Sequence, residues 1–231
     1  MGVLLMLMTI GGSISAAILL AAGLVTEKAW LKKFTIGGVV IWFAFYFAML
    51  VGLSLMSREK DLGFNEPKEY CGFYLDCHMH TSVTSVQTAK TIIDKTAKGE
   101  FYIVKVKVFS NARREPLALH TVDAHVVDGD GHAYTRDMEA EDQLPPQPEF
   151  EKRIAPTESF EKEIVFDLPA DVKTPRLDIS EGYWIDHAIE AVLIDDEDSI
   201  LHKRNYFKLA LSEPGALATG FPEQTDTASV K

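Results

Sequence analysis

Phe101-Tyr102-Ile103-Val104-Lys105-Val106-Lys107-Val108-Phe109 is the stretch that decides the fold of the larger part of this chain. Lysines at 105 and 107 share one side with Ile103, while Tyr102, Val104, Val106 and Val108 share the other. Alternation with a period of two, built from β-branched and aromatic residues, predicts a strand buried on one face. Working outward, Ser159 to Leu168 alternates in the same way, with Phe160, Ile164, Phe166 and Leu168 on one side until Pro169 ends it. Thr121 to Val127 predicts a strand, and Asp128-Gly129-Asp130-Gly131 a turn into His132 to Arg136, which together make a hairpin signature. Arg176 to Ile179, Ile189 to Ile194 and Ile200 to Leu209 complete the predicted strands, and Glu139 to Phe150, with three prolines, reads as a crossing loop. Short strands separated by polar turns indicate an antiparallel sandwich over residues 69–211. Residues 212–231, rich in Gly, Pro, Ser, Thr and Ala, have little to bury and read as a disordered tail.

The front of the chain is of another kind. Residues 1–26 and 34–56 contain no Asp, Glu, Lys or Arg. A hydrocarbon core of about 30 Å needs roughly 20 helical residues, so each run is long enough to span as a helix, over about 3–25 and 34–56. Residues 1–57 therefore read as a two-helix transmembrane hairpin, and 58–68, with Gly63, Asn65 and Pro67, as a connector. A signal peptide carries a basic flank ahead of its apolar run, and none precedes Val3, so spanning rather than cleavage is expected. Between the runs, Lys28, Lys32 and Lys33 favour a cytoplasmic hairpin tip, which puts the later domain on the extracytoplasmic side. Arg58, Lys60 and Lys68 weigh the other way, but long domains translocate largely regardless of charge. Trp30 suits the headgroup level, and the small residues Gly12, Ser13, Ala16 and Ala17 form a stripe that lets another helix approach. The spans hold no ionisable residue, which argues against a proton or ion pathway in this chain.

The two strongest strand patterns, with Gly99-Glu100 ahead of the first and Ser110-Asn111 after it, carry a resemblance together with Asp128-Gly129-Asp130-Gly131-His132-Ala133-Tyr134 and Pro156-Thr157-Glu158-Ser159. They resemble a bacterial domain family of unknown function. They are similar to the telokin-like, immunoglobulin-like domains of secreted lipoproteins and membrane-anchored bacterial proteins. The resemblance covers about residues 75–210. It implies a sandwich of roughly seven to nine strands in a cell-envelope protein, and it brings no catalytic residues. Thr157 departs from the pattern, since such turns more often have glycine after proline, where a positive φ is free of strain.

Candidate chemistry concentrates in Cys71-Gly72-Phe73-Tyr74-Leu75-Asp76-Cys77-His78-Met79-His80, which holds both cysteines. On an extended strand Cys71 and Cys77 sit about 20 Å apart, so a disulfide requires a reversal, which Gly72 favours; the closed loop would contribute about 2 kcal/mol. A zinc or copper site is the alternative, because His78 and His80 share a strand face and thiolates suit those ions, although the spacing matches no standard zinc pattern. Unliganded side chains are the third reading. His120 and His125 read as ordinary edge residues. Asp195-Asp196-Glu197-Asp198 reads as a solvated hairpin turn, since it lacks the spaced ligands and central glycine of a calcium loop.

No nucleophile elbow, metalloprotease helix, phosphate loop or dinucleotide fingerprint is present, so neither enzyme activity nor a cofactor is expected. The net charge is −11, and apart from Glu27, Lys28, Lys32 and Lys33 every charge lies beyond the second apolar run. So acidic a domain repels phosphate backbones, and nucleic acid is not an expected partner. The expected partners are the lipid bilayer and an envelope protein. The leading expectation is a membrane-anchored, extracytoplasmic binding or accessory module. The others are a metal or redox role for Cys71, Cys77, His78 and His80, and a structural subunit of a larger membrane complex.

Overall fold

The computed structural model describes residues 2–71 and 77–211; Gly72 and the tail from 212 onward lie outside them. Two apolar helices come first, α1 (Gly2–Val25) and α2 (Ala29–Met56), each long and apolar enough to cross a membrane. They run antiparallel, and Trp42 Nε1 donates to Thr9 Oγ1 at 2.9 Å between them. Thr9, Ser13 and Ser15 each donate to the carbonyl four residues back, as does Thr35 in α2. These hydroxyls are satisfied inside the helices, as an apolar solvent requires. Leu50 and Ser54, near the end of α2, are buried by protein, whereas most apolar side chains before them face outward.

Nine strands follow among the described residues: β1 (Lys60–Leu62), β2 (Lys68–Tyr70), β3 (Met79–Ile92), β4 (Lys95–Ser110), β5 (Asp123–Val127), β6 (Ala133–Thr135), β7 (Ser159–Leu168), β8 (Arg176–Ser180) and β9 (Asn205–Lys208). Short helices α3 (Met138–Glu141) and α4 (Trp184–Glu190) are inserted among them. One sheet has the order β2-β3-β4-β7 and the other β1-β9-β8-β5-β6, antiparallel throughout except for the β1 and β9 pair. The long β3–β4 hairpin is the backbone of the first sheet, and β7 pairs with β4 from Glu100↔Leu168 to Phe109↔Ser159.

The alternation read from the sequence is what closes the sandwich. Tyr102, Val104, Val106, Val108, Phe160, Ile164, Phe166 and Leu168 meet Ala124, Val126, Leu177, Ile179 and Phe207 of the second sheet in one core. The other face of the first sheet is not wholly solvated. Phe101 and Val165 pack there with Ala140 of α3, and Arg136 pairs with Glu141, whose Oε1 also accepts from Val165 N at 3.1 Å.

Three expectations need correction. The segment read as a connector contains β1, because Leu62 is apolar enough to enter the core and Lys60 to Leu62 extend the second sheet beside β9. Ile189 to Ile194 is not a strand: α4 ends at Glu190 and turns follow. Its start is set by Asp186, whose carboxylate accepts from Tyr183 N at 2.9 Å, and that local bond outweighs the β propensity of the apolar run. The crossing loop after residue 138 opens with α3, capped by Asp137, whose side chain accepts from Ala140 N.

The Asp128 turn forms as read. Its buried carboxylate accepts from the backbone of Asp130 and His132, from the His132 ring and from Tyr134, while Gly131 takes φ 87°. Thr157 adopts φ 67°, a left-handed conformation that costs a β-branched residue about 1–2 kcal/mol. Thr157→Gly is expected to stabilise the sandwich by about 0.5–1 kcal/mol after the added freedom of the unfolded chain is subtracted. Urea unfolding of the chain in mild detergent would show it as a raised midpoint with unchanged slope.

Candidate functional site

Where β1, β2, β8 and β9 meet the turns after α4, the sandwich holds a cleft of about 330 Å³. Its floor is an ion network. Lys68 of β2 is buried, with Nζ 3.3 Å from Asp178 Oδ1 and 2.8 Å from Glu197 Oε1. Asp178 of β8, only 1% exposed, also accepts from Arg204 at 3.0 Å. Arg204 reaches Asp198 at 3.0 Å, and Glu197 accepts from Asn205 through backbone and side chain. Tyr70 is buried beside it, its hydroxyl 2.7 Å from Thr81 Oγ1. Removing one member of a buried pair leaves an uncompensated charge, so this floor tolerates little change.

The walls carry Glu69, Glu181, Glu190 and Asp195 to Asp198, against Lys60 and the already paired Lys68. Glu190, at the end of α4, sits 3.4 Å from His187 Nδ1 through an oxygen with no hydrogen-bond donor. Burial, and then the charges of Asp196, Asp198, Asp186 and Glu181, push its carboxyl up to about 7. Asp196 is raised in the same way, burial first. Ligand atoms of His187, Glu190 and Asp198 lie within 4.8 Å of one another. The arrangement is a preformed, negatively charged recess suited to a cationic group.

The residues singled out from the sequence are distributed unevenly around it. Cys71 lines the cleft and is bonded to Cys77, with Cα atoms 4.2 Å apart. Glu69 lies close to both sulfurs, but a disulfide offers no thiolate. His78 is exposed, with Nδ1 2.7 Å from Asn111 Oδ1, whereas His80 is buried and stacked on Phe109 at 5.1 Å. The four are therefore not gathered as one ligand set. His120 stacks on Tyr183, and His125 lies 3.4 Å from Asp123 and 3.8 Å from Asp178. Asp195 to Asp198 is not a solvated hairpin turn: it is a partly buried wall, because Glu197 and Asp198 are drawn inward by Lys68, Asn205 and Arg204. Glu190, Asp178 and Lys68 were missed. The available signal was a carboxylate inside the apolar run Ile189 to Ile194, which a strand reading treats as an exposed edge.

Residues 76–189 match the domain of unknown function DUF4352. The match includes β3 through most of α4. Of the cleft's lining only Asp178, Ile179, Ser180 and Glu181 fall within the DUF4352 match, so most of the recess is built by flanking segments. No curated protein matches the chain. Among solved structures, the chain is similar to the secreted protein MPT63 of Mycobacterium tuberculosis, at 13% identity over 56% of this chain and 93% of that one, with a TM-score of 0.39. A conserved hypothetical protein of Bacillus anthracis gives 17% identity over 50% and 91%, with a TM-score of 0.34. An uncharacterized β-sandwich protein of Clostridium difficile gives 10% over 67% and 97%, with a TM-score of 0.36.

Glu190 makes stability depend on pH with a definite sign. Its folded carboxyl holds a proton up to about 7, while the unfolded carboxyl releases it near 4.5, so stability falls as pH rises between those values. Glu190→Gln should flatten that decline in unfolding midpoints taken from pH 4.5 to 7.5, whereas an unchanged slope would place the titration elsewhere.

Proposed function

We propose that the chain is a membrane-anchored binding module of the bacterial envelope, an immunoglobulin-like sandwich displayed on the extracytoplasmic side and without catalysis of its own. The acidic cleft takes a cationic group of an envelope protein. The carrying observation is the cleft itself: eight acidic side chains line it against Lys60 and Lys68, and Lys68 is spent in ion pairs with Asp178 and Glu197. Anchoring is supported by two helices long and apolar enough to span, in which Thr9, Ser13, Ser15 and Thr35 donate to their own helix and most apolar side chains are left uncovered. Retention of α1 is supported by Gly2, which packs so closely against the backbone of Ile194 that a Cβ there would lie 2.3 Å from its carbonyl oxygen.

A photo-crosslinking side chain at exposed Asp195, in the full chain in its native membrane, should capture a defined envelope protein. Glu69→Gln should weaken that capture several-fold, and the same crosslinker at Glu161, on the outer face of β7, should not give it. Capture from Glu161 but not from Asp195, or from neither, would overturn the cleft as the binding surface.

The extracytoplasmic placement is tested separately. Among the described residues no cysteine is free, and disulfides persist in oxidising compartments. Chain taken from native membranes under alkylating conditions should react with maleimide only after reduction. Two thiols reactive beforehand would contradict the placement.

A further inference from the structure

Among the described residues beyond 57, ten large apolar side chains are exposed, and six of them fall in one stretch: Tyr183, Trp184, Ile185, Val192, Ile200 and Leu201. Trp184 is the most exposed, at 79%. This stretch is α4 and the turns after it, and it is also where the sandwich touches the hairpin. Tyr46 of α2 donates to Val192 O at 2.7 Å, Gly2 of α1 packs on Ile194, and Ser57 Oγ accepts from Lys203 N at 2.8 Å. Ile200 N in turn donates to Ala191 O at 2.9 Å, which ties the second half of the stretch to the first.

The level of these contacts is what matters. Tyr46 lies ten residues before Met56, about 15 Å along the helix axis. From Ala29 to Tyr46 the helix is about 27 Å long, close to the thickness of a hydrocarbon core of about 30 Å. Gly2, the start of α1, meets the same stretch at Ile194. Beyond Tyr46, one side of α2 is covered by protein, with Leu50 and Ser54 buried, while Phe47, Leu55 and Met56 stay exposed. Tyr46 thus marks the level at which α2 first meets the sandwich, and its last turns form a stem held against protein on one side.

We propose that residues 183–201 form an interfacial platform that lies on the bilayer surface, with Trp184, Ile185, Val192, Ile200 and Leu201 entering the headgroup and acyl boundary. The proposal rests on the anchoring described above and goes beyond it, since a span alone leaves the sandwich free to tumble on its stem. Aromatic and aliphatic side chains at this depth are favoured by their apolar bodies, and indole suits the polar edge. Charge does not drive the seating. Asp186 and the Asp195 to Asp198 run sit in the same stretch and repel anionic headgroups, so zwitterionic lipid suffices. The platform brings the cleft, whose wall includes Glu190 and Asp195 to Asp198, close to the membrane surface.

The test uses the full chain with Trp30→Phe and Trp42→Phe, which leaves Trp184 as the sole tryptophan of the three. It is reconstituted in phosphatidylcholine vesicles with and without lipid brominated high on the acyl chain. Trp184 emission is expected to fall about twofold with brominated lipid, and Ile185→Asp with Ile200→Asp to abolish most of that quenching while flotation with the vesicles persists. If the chain floats and Trp184 is not quenched, the platform is wrong and the anchoring stands. A chain that does not float at all overturns both.

Discussion

Two apolar helices of 24 and 28 residues, charged only at Lys32 and Lys33 near the start of the second, leave their outward faces uncovered by protein, and this constraint organises the proposed account of the chain. Their outward faces are apolar and uncovered, the hydroxyls of Thr9, Ser13, Ser15 and Thr35 bond to their own helix, and Trp42 donates across the pair to Thr9. In the function proposed above, lipid is the solvent that removes the cost of exposing them. The helices then cease to be a packing problem and become a fixed point from which the sandwich is held by Gly2, Tyr46 and Ser57.

A second constraint acts inside the sandwich. The inner core is apolar and supplies most of the driving force for joining the sheets, but the edge formed by β2, β8 and β9 is polar. There Lys68, Asp178, Glu197 and Arg204 neutralise one another in a partly dry setting, where correct geometry decides whether burial is tolerated. That network locks the last strand and the turn from 195 to 198 into place. The cleft exists because the turn is held there, and its acidity comes from eight acidic side chains in a lining whose basic residues are Lys60 and Lys68.

The parts legible in the sequence were those governed by local period. The span between Ser159 and Leu168, the face shared by Tyr102, Val104, Val106 and Val108, and the Asp128 turn all follow from alternation and turn chemistry. At Thr157 the absence of glycine put the turn in doubt, yet the residue keeps a positive φ of 67°. What period does not encode is long-range pairing. β1 is three residues among breakers and is a strand only because β9 lies beside it; β3 has polar residues on both faces, because Ser82 and Thr81 are buried by its neighbours. The run from Ile189 to Ile194 was misread for the same reason, since an apolar run is a strand, a helix or a surface patch according to what it meets. The site was least legible: its floor joins Lys68, Asp178 and Glu197, residues more than a hundred positions apart at the extremes, and no spacing rule connects them.

The central claim, that lipid and not water surrounds the first two helices, is tested most directly by alkaline carbonate extraction of native membranes carrying the intact chain. The account predicts that the chain stays with the sedimented bilayer and is released only by detergent. Recovery of the intact chain in the carbonate supernatant would contradict it.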